Sequence, residues 1–167
     1  CSCGVMLRSL PLLESLRARV EARTRATQQE HAFWPCARGC DHCCRTLPSL
    51  PNVTRIEWEE MRAAMSRMPP NLRASIEARI RNAPARGPLT CPLLDEAEGT
   101  CRIYEARPIA CRTYGFYTEW DAGLHCDEVT RAVRDHDAED RIVWGNGEAI
   151  AEDMKPLGET KTLDVWL

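Results

Sequence analysis

The chain of 167 residues is long enough for one domain, or for a domain with helical extensions. Hydrophobic residues make up 44% and charged residues 28%, a globular composition that argues against disorder. The formal net charge of −3 gives no electrostatic case for nucleic acid, and no apolar run reaches the roughly 18 residues of a membrane-spanning helix.

The N-terminus lacks the charged start, apolar stretch and cleavage site of a secretory signal, so a cytoplasmic chain is expected. Met6 reads as a natural start, and Cys1 and Cys3 are set aside. Leu10, Leu13, Leu16 and Val20 predict an amphipathic helix over 9–33, with Pro11 in its first turn. Residues 36–53, with Gly39, Pro48 and Pro51, read as irregular. Thr54-Arg55-Ile56-Glu57 has the form of a capping box and predicts a helix to about Met68, stopped by Pro69-Pro70. Another helix is expected over 71–82, with Asn71 as its N-cap. Ile56, Met61, Met65, Leu72, Ile76 and Ile80 are its expected core positions and those of the helix before it.

Residues 91–104 predict two short strands around Glu98-Gly99, and 108–114 a helical turn or loop. A helix over 128–137, a strand over 141–144, a turn at Gly145-Asn146-Gly147, a helix over 147–155 and an extended segment at 163–166 complete the series. This mixture predicts an α+β fold: a small, metal-stapled, mainly helical and irregular domain with short strands. The expected plan is an N-terminal helix over 1–35, a cysteine-rich metal-binding domain over 36–126, and a C-terminal extension over 127–167 packed on the same domain.

Ten cysteines are far too many for an ordinary chain in a reducing compartment, where clustered thiols read first as metal ligands. Four fall within nine residues, Cys36, Cys40, Cys43 and Cys44; Cys91, Cys101, Cys111 and Cys126 are spread downstream. In a helix, Cys36, Cys40 and Cys43 would share about 60° of arc. In a loop, Gly39 supplies the freedom that a metal knuckle needs. Soft thiolates select zinc or iron–sulfur clusters over harder ions. Disulfides and plain burial as small apolar side chains are the competing readings. Arg38, Arg45, Arg102, Arg107 and Arg112 lie within four residues of a candidate ligand and would offset thiolate charge. His42 and His125 are candidate replacements for a thiolate, whereas His31 and His136 are expected on the surface.

CARGCDHCC at 36–44, CPLLD at 91–95, CRIYEARPIACRTYG at 101–115 and Cys126 together resemble the YkgJ-type cysteine-cluster family. That family is described as zinc- or iron-chelating, with eight shared cysteines. The resemblance covers about residues 36–126 and implies metal chelation. Cys36, Cys40, Cys43, Cys44, Cys91, Cys101, Cys111 and Cys126 are then the candidate ligands, and Tyr104, Arg107 and Pro108 belong to the shared pattern. The cysteine pattern is also similar to that of the flagellin lysine N-methylases, which are associated with a [4Fe–4S] cluster, and this keeps iron–sulfur beside zinc.

The spacing CxxxCxxC of radical S-adenosylmethionine enzymes is present too, but without the alternating strand–helix series of their barrels. No P-loop, GxSxG, HExxH or GxGxxG occurs. Three functional readings follow. The first is a protein chelating zinc or iron, with two four-cysteine ions or one cluster plus extra ligands. The second is an iron–sulfur redox or group-transfer enzyme acting with a partner. The third is an adaptor whose metal only holds the fold that displays its helices to a protein partner.

Overall fold

The computed structural model describes residues 3–119 and 126–167, with side chains from residue 9 onward. In chain order the elements are α1 (Cys3–Glu30), α2 (His42–Arg45), β1 (Asn52–Thr54), α3 (Arg55–Met65), α4 (Pro70–Arg81), β2 (Leu94–Asp95), β3 (Thr100–Cys101) and α5 (Ile109–Thr113). Then come β4 (Tyr117–Thr118), α6 (Asp127–Asp135), β5 (Gly145–Asn146), α7 (Gly147–Met154), β6 (Thr160–Thr162) and α8 (Leu163–Trp166). The fold is α+β as expected, with the strands among the described residues confined to two-stranded pairings. The chain forms two compact units: Cys1–Arg38 with Cys111–Leu157, and Gly39–Ala110 with Gly158–Leu167.

In the first unit, Leu13, Leu16 and Val20 of α1 are fully or almost fully buried, at the spacing that predicted the helix, while Leu10 is exposed. The helix ends at Glu30 rather than 33, because the chain turns through a Trp34 N–H to His31 carbonyl bond. That turn delivers Trp34 into a core with Phe116, Cys126, Val129, Val133, Ala138 and Ile142. Trp34 stacks on Phe116 at 5.7 Å and meets Trp144 at 5.5 Å. His31 is half-buried against Phe33 rather than on the surface; His136 is exposed and stacks on the same ring at 4.2 Å. The expected strand at 141–144 is displaced. Residues Glu139–Arg141 form a 3₁₀ turn, and the strand is Gly145–Asn146, pairing in parallel with Tyr117–Thr118. Gly145 lies under the Tyr117 ring, where a Cβ would sit 2.4 Å from ring carbons. Asn146 then caps α7 by accepting the Ala149 N–H at 2.9 Å.

In the second unit, β1 and β6 pair antiparallel, with Val53 opposite Lys161. Around them Leu50, Val53, Trp58, Met61, Met65, Ile76, Ile80, Leu89, Leu93, Leu94, Ile103 and Leu163 form one core. The Thr54 capping box is present on both sides. Its Glu57 is fully buried. One carboxylate oxygen accepts the Thr54 N–H and hydroxyl at 2.8 Å each, and the other accepts the Ile109 N–H at 2.8 Å. A local cap thus also ties the start of α5 to α3. Helix α4 starts at Pro70, with Pro69 rather than Asn71 at the cap, since proline is already set to helical φ in the first turn. The segment 163–166, expected to be extended, is the short helix α8; the extended residues are Thr160–Thr162 before it. Leu163 is fully buried and the Trp166 indole N–H donates to the Val53 carbonyl at 2.9 Å, which fixes this turn against β1.

Candidate metal centre

The second unit holds Cys40, Cys43, Cys44, Cys91 and Cys101. Backbone hydrogen bonds bring distant members of this set together. Leu47 and Leu89 exchange both N–H···O bonds, at 3.0 and 2.9 Å. Two residues on, the Cys91 N–H donates to the Cys44 carbonyl at 2.6 Å. A tight turn follows, in which the Leu94 N–H reaches the Cys91 carbonyl at 3.0 Å. Leu94 is then the antiparallel partner of Cys101, and the Arg102 N–H closes on the Leu93 carbonyl at 2.9 Å. Cys44 is thereby fixed to Cys91, and Cys91, through one turn and one ladder, to Cys101. Cys43 comes with Cys44 on the single turn α2.

The side chains complete the grouping. The Cys43 thiol is hydrogen-bonded to Cys44, and Cys44 to Cys91. Cys44 also feels Cys101, and Cys101 feels Cys43. The Cys44 contact and then burial hold the Cys43 thiol well above its ordinary range. The bond from Cys43 draws Cys44 down, but the bond to Cys91 and burial outweigh it, so that Cys44 is pushed up to about 12. Burial raises Cys101, against a backbone bond from Ile103 and the charge of Arg107. The group gathers at the edge of the apolar core: Cys91 lies in it and Cys44 and Cys101 pack against it.

The arginines near the candidate ligands divide by partner. Arg45 pairs with Asp41 at 2.6 Å and donates to the Glu96 carbonyl at 3.0 Å. Arg102 pairs with Asp95 at 3.0 Å, and Arg112, nearly buried, with Glu21 at 2.5 Å in the first unit. The Arg107 guanidinium lies 3.5 Å over the Tyr104 ring, and its charge draws the Cys43 and Cys101 thiols down against the burial that raises them. Sequence reasoning missed Arg79, which reaches from α4 to the Cys91 carbonyl at 3.3 Å and to Glu96 at 3.2 Å. It lies twelve residues from Cys91, beyond any local window.

Cys40 is half-buried in the loop before α2. Cys36, Cys111 and Cys126 belong to the first unit. The Cys36 thiol points at the Tyr114 carbonyl at 3.7 Å, and a Cβ on Gly115 would lie 3.4 Å from its sulfur. Cys126 is buried in the core against which Cys36 packs, and Cys111 is half-buried on α5. His125, Trp120 and Asp121 lie outside the described residues, as does Cys1. His42 opens α2 beside Cys43.

Among the described residues, no three His, Cys, Asp or Glu side chains are already set as the ligands of one ion. The donor chemistry of the Cys43, Cys44, Cys91 and Cys101 group nevertheless fits zinc or iron. It offers four soft sulfur atoms from one part of the unit, with Cys43 linked to Cys44 and Cys44 to Cys91. No described helix is long and apolar enough to cross a membrane.

The CxxCxxCC family model, described as "Putative zinc- or iron-chelating domain", matches residues 35–138. No curated protein and no solved structure matches the chain.

Proposed function

Since the chain belongs to the CxxCxxCC family of zinc- or iron-chelating domains, we propose that it binds such a metal through thiolates, with Cys43, Cys44, Cys91 and Cys101 as one four-sulfur set. The observation that carries this reading is the run of backbone bonds from Cys44 to Cys91 and on to Cys101, which draws sequence-distant cysteines into one part of the unit. The other four candidate ligands are Cys40 in the same unit and Cys36, Cys111 and Cys126 in the first. All eight cysteines are free thiols, which is the state a metal ligand requires before it loses its proton.

A four-thiolate set suits either a closed zinc site or a [4Fe–4S] cluster. A closed zinc site holds structure, whereas a cluster adds electron transfer or group-transfer chemistry with a partner. Metal and acid-labile sulfide analysis of the full chain, purified without oxygen, separates the two. Zinc without sulfide supports the closed site, and iron with matching sulfide and a broad absorption band supports the cluster. Cys44→Ser is expected to lower the bound metal to less than about half, because this thiol contacts both Cys43 and Cys91. Full metal content in that variant, or a wild-type chain that takes up neither metal, would overturn the reading.

A further inference from the structure

Building on that metal reading, we propose that Arg45 is a positioning residue of the metal site: with Asp41 it clamps the segment that carries Cys40, Cys43 and Cys44 onto the β2–β3 turn that leads into Cys101. The Arg45 Nε–H donates to Asp41 Oδ2 at 2.7 Å, and its Nη2 lies 2.6 Å from the same oxygen. Nη2 also donates to the Glu96 carbonyl at 3.0 Å, inside the turn. The Asp41 carboxylate rests on that turn too. A Cβ on Gly99 would lie 3.2 Å from Asp41 Oδ2 and 3.7 Å from the Gly39 carbonyl oxygen, so both neighbours of Cys40 approach the turn at Gly99, just ahead of Cys101. The turn is a stiff seat. The Gly99 N–H donates to the Asp95 carbonyl at 2.8 Å, and the Asp95 carboxylate accepts the Ala97 and Glu98 N–H groups at 3.3 Å each.

The clamp is one link of a closed circuit. Glu96, held at its carbonyl by Arg45, is held at its carboxylate by Arg79 at 3.2 Å, and Arg79 donates to the Cys91 carbonyl at 3.3 Å. The Cys91 N–H donates to the Cys44 carbonyl at 2.6 Å, and Cys44 directly precedes Arg45. The circuit therefore runs through the backbone of Cys44 and Cys91, with Cys43 next to the one and the strand of Cys101 after the turn. An exposed ion pair taken singly contributes little, but opening one link of a circuit frees every segment that it joins. Arg45 is the link between the Cys40–Cys44 segment and the turn. Its planar fork engages two acceptors at once, which a lysine ammonium on a flexible stem does not fix. Its role is geometric: it keeps ligand-bearing segments together, so that an ion closes the site without first ordering a loop.

The test is the zinc affinity of the zinc-loaded full chain, reduced and free of oxygen, measured by competition with a chromophoric chelator. Arg45→Gln opens the clamp and is expected to weaken zinc binding about tenfold, the low end of the range for groups that support metal ligands. Arg45→Lys keeps the charge but not the fork, and is expected to fall within about threefold of Arg45→Gln. Arg62→Gln is the control. It breaks an ion pair of the same length, 2.6 Å to Glu59, on α3 of the same unit, which shares no residue with the circuit, and it is expected to stay within about twofold of wild type. Circular dichroism of the zinc-loaded proteins checks that each is folded, and Asp41→Ala, which opens the same link from its other side, replaces Arg45→Gln if the latter is not. Wild-type affinity in Arg45→Gln overturns the assignment. So does wild-type affinity in Arg45→Lys, which would mean that charge and not the clamp matters, and an equal loss in Arg62→Gln, which would mean general stability of the unit. Each of these leaves the metal reading in place, whereas a wild-type chain with no measurable zinc or iron affinity removes the metal reading and this assignment together.

Discussion

The thiol of Cys44 illustrates what the cysteine group does to its own members. Its ordinary value of 9.0 is pushed up to about 12, and burial and the neighbouring thiols raise Cys43 and Cys101 in the same direction. The metal-free folded protein therefore keeps protons that the unfolded chain releases near pH 9. Between about 9 and 12 the folded state binds more protons than the unfolded state, so its stability falls as pH rises through that window and is fully present below it. Tyr117, raised by burial from its ordinary 10.0, acts in the same sense. The urea midpoint of reduced, metal-free protein is expected to be level from pH 7 to about 8.5 and to decline steadily above 9. A midpoint that holds or rises through pH 10 would contradict it. The candidate ligands were legible as a type, because four thiols in nine residues have few other uses. Their grouping was not: Cys36 and Cys40 are four apart in sequence yet belong to different units, while Cys44 and Cys91 are joined by a backbone bond.

At the scale of elements, sequence signals succeeded where the physics is local. The Thr54–Glu57 capping box was readable because both of its hydrogen bonds close within one turn. The strands were harder, since two-residue pairings are too short to show alternation. The β4–β5 pair joins residues 28 apart, with Gly145 beneath the Tyr117 ring and Gly147 close to the Thr118 carbonyl. The sequence Gly145-Asn146-Gly147 therefore read as a turn when its first two residues form a strand. Gly145→Ala is expected to destabilise the first unit by about 1–3 kcal/mol, since a methyl 2.4 Å from ring carbons forces the ring or the strand to move. Thermal or urea unfolding followed by Trp34 and Trp144 fluorescence checks this. Gly158→Ala, with open space around its Cβ but a left-handed φ of 99°, tests backbone strain alone. An unchanged midpoint in Gly145→Ala would mean that the Tyr117 contact is not what selects Gly145.

Over the whole chain, the division into two units from interleaved segments explains why a linear reading could place elements but not their neighbours. The second unit draws Gly158–Leu167 back to β1, so its sheet and its cysteine group share one core, with Cys91 in it and Cys44 and Cys101 against it. That shared core decides how metal removal should act. Structural zinc contributes on the order of 10 kcal/mol in small zinc peptides, and a domain has about 5–15 kcal/mol in total. Four thiolates anchored in the core would then supply most of the unit's stability, and losing the metal should unfold it as one body rather than loosen the cysteine loops alone. Hydrogen exchange on protein before and after chelation reads this directly. The Cys91, Leu94 and Arg102 amides report the loops, and Ile109 and the Val53–Lys161 ladder report the rest of the unit. The expected result is that both sets lose protection together on metal removal. Loss at Cys91, Leu94 and Arg102 with the ladder still protected would show that the apolar core folds without the metal, and that the thiols serve binding more than stability.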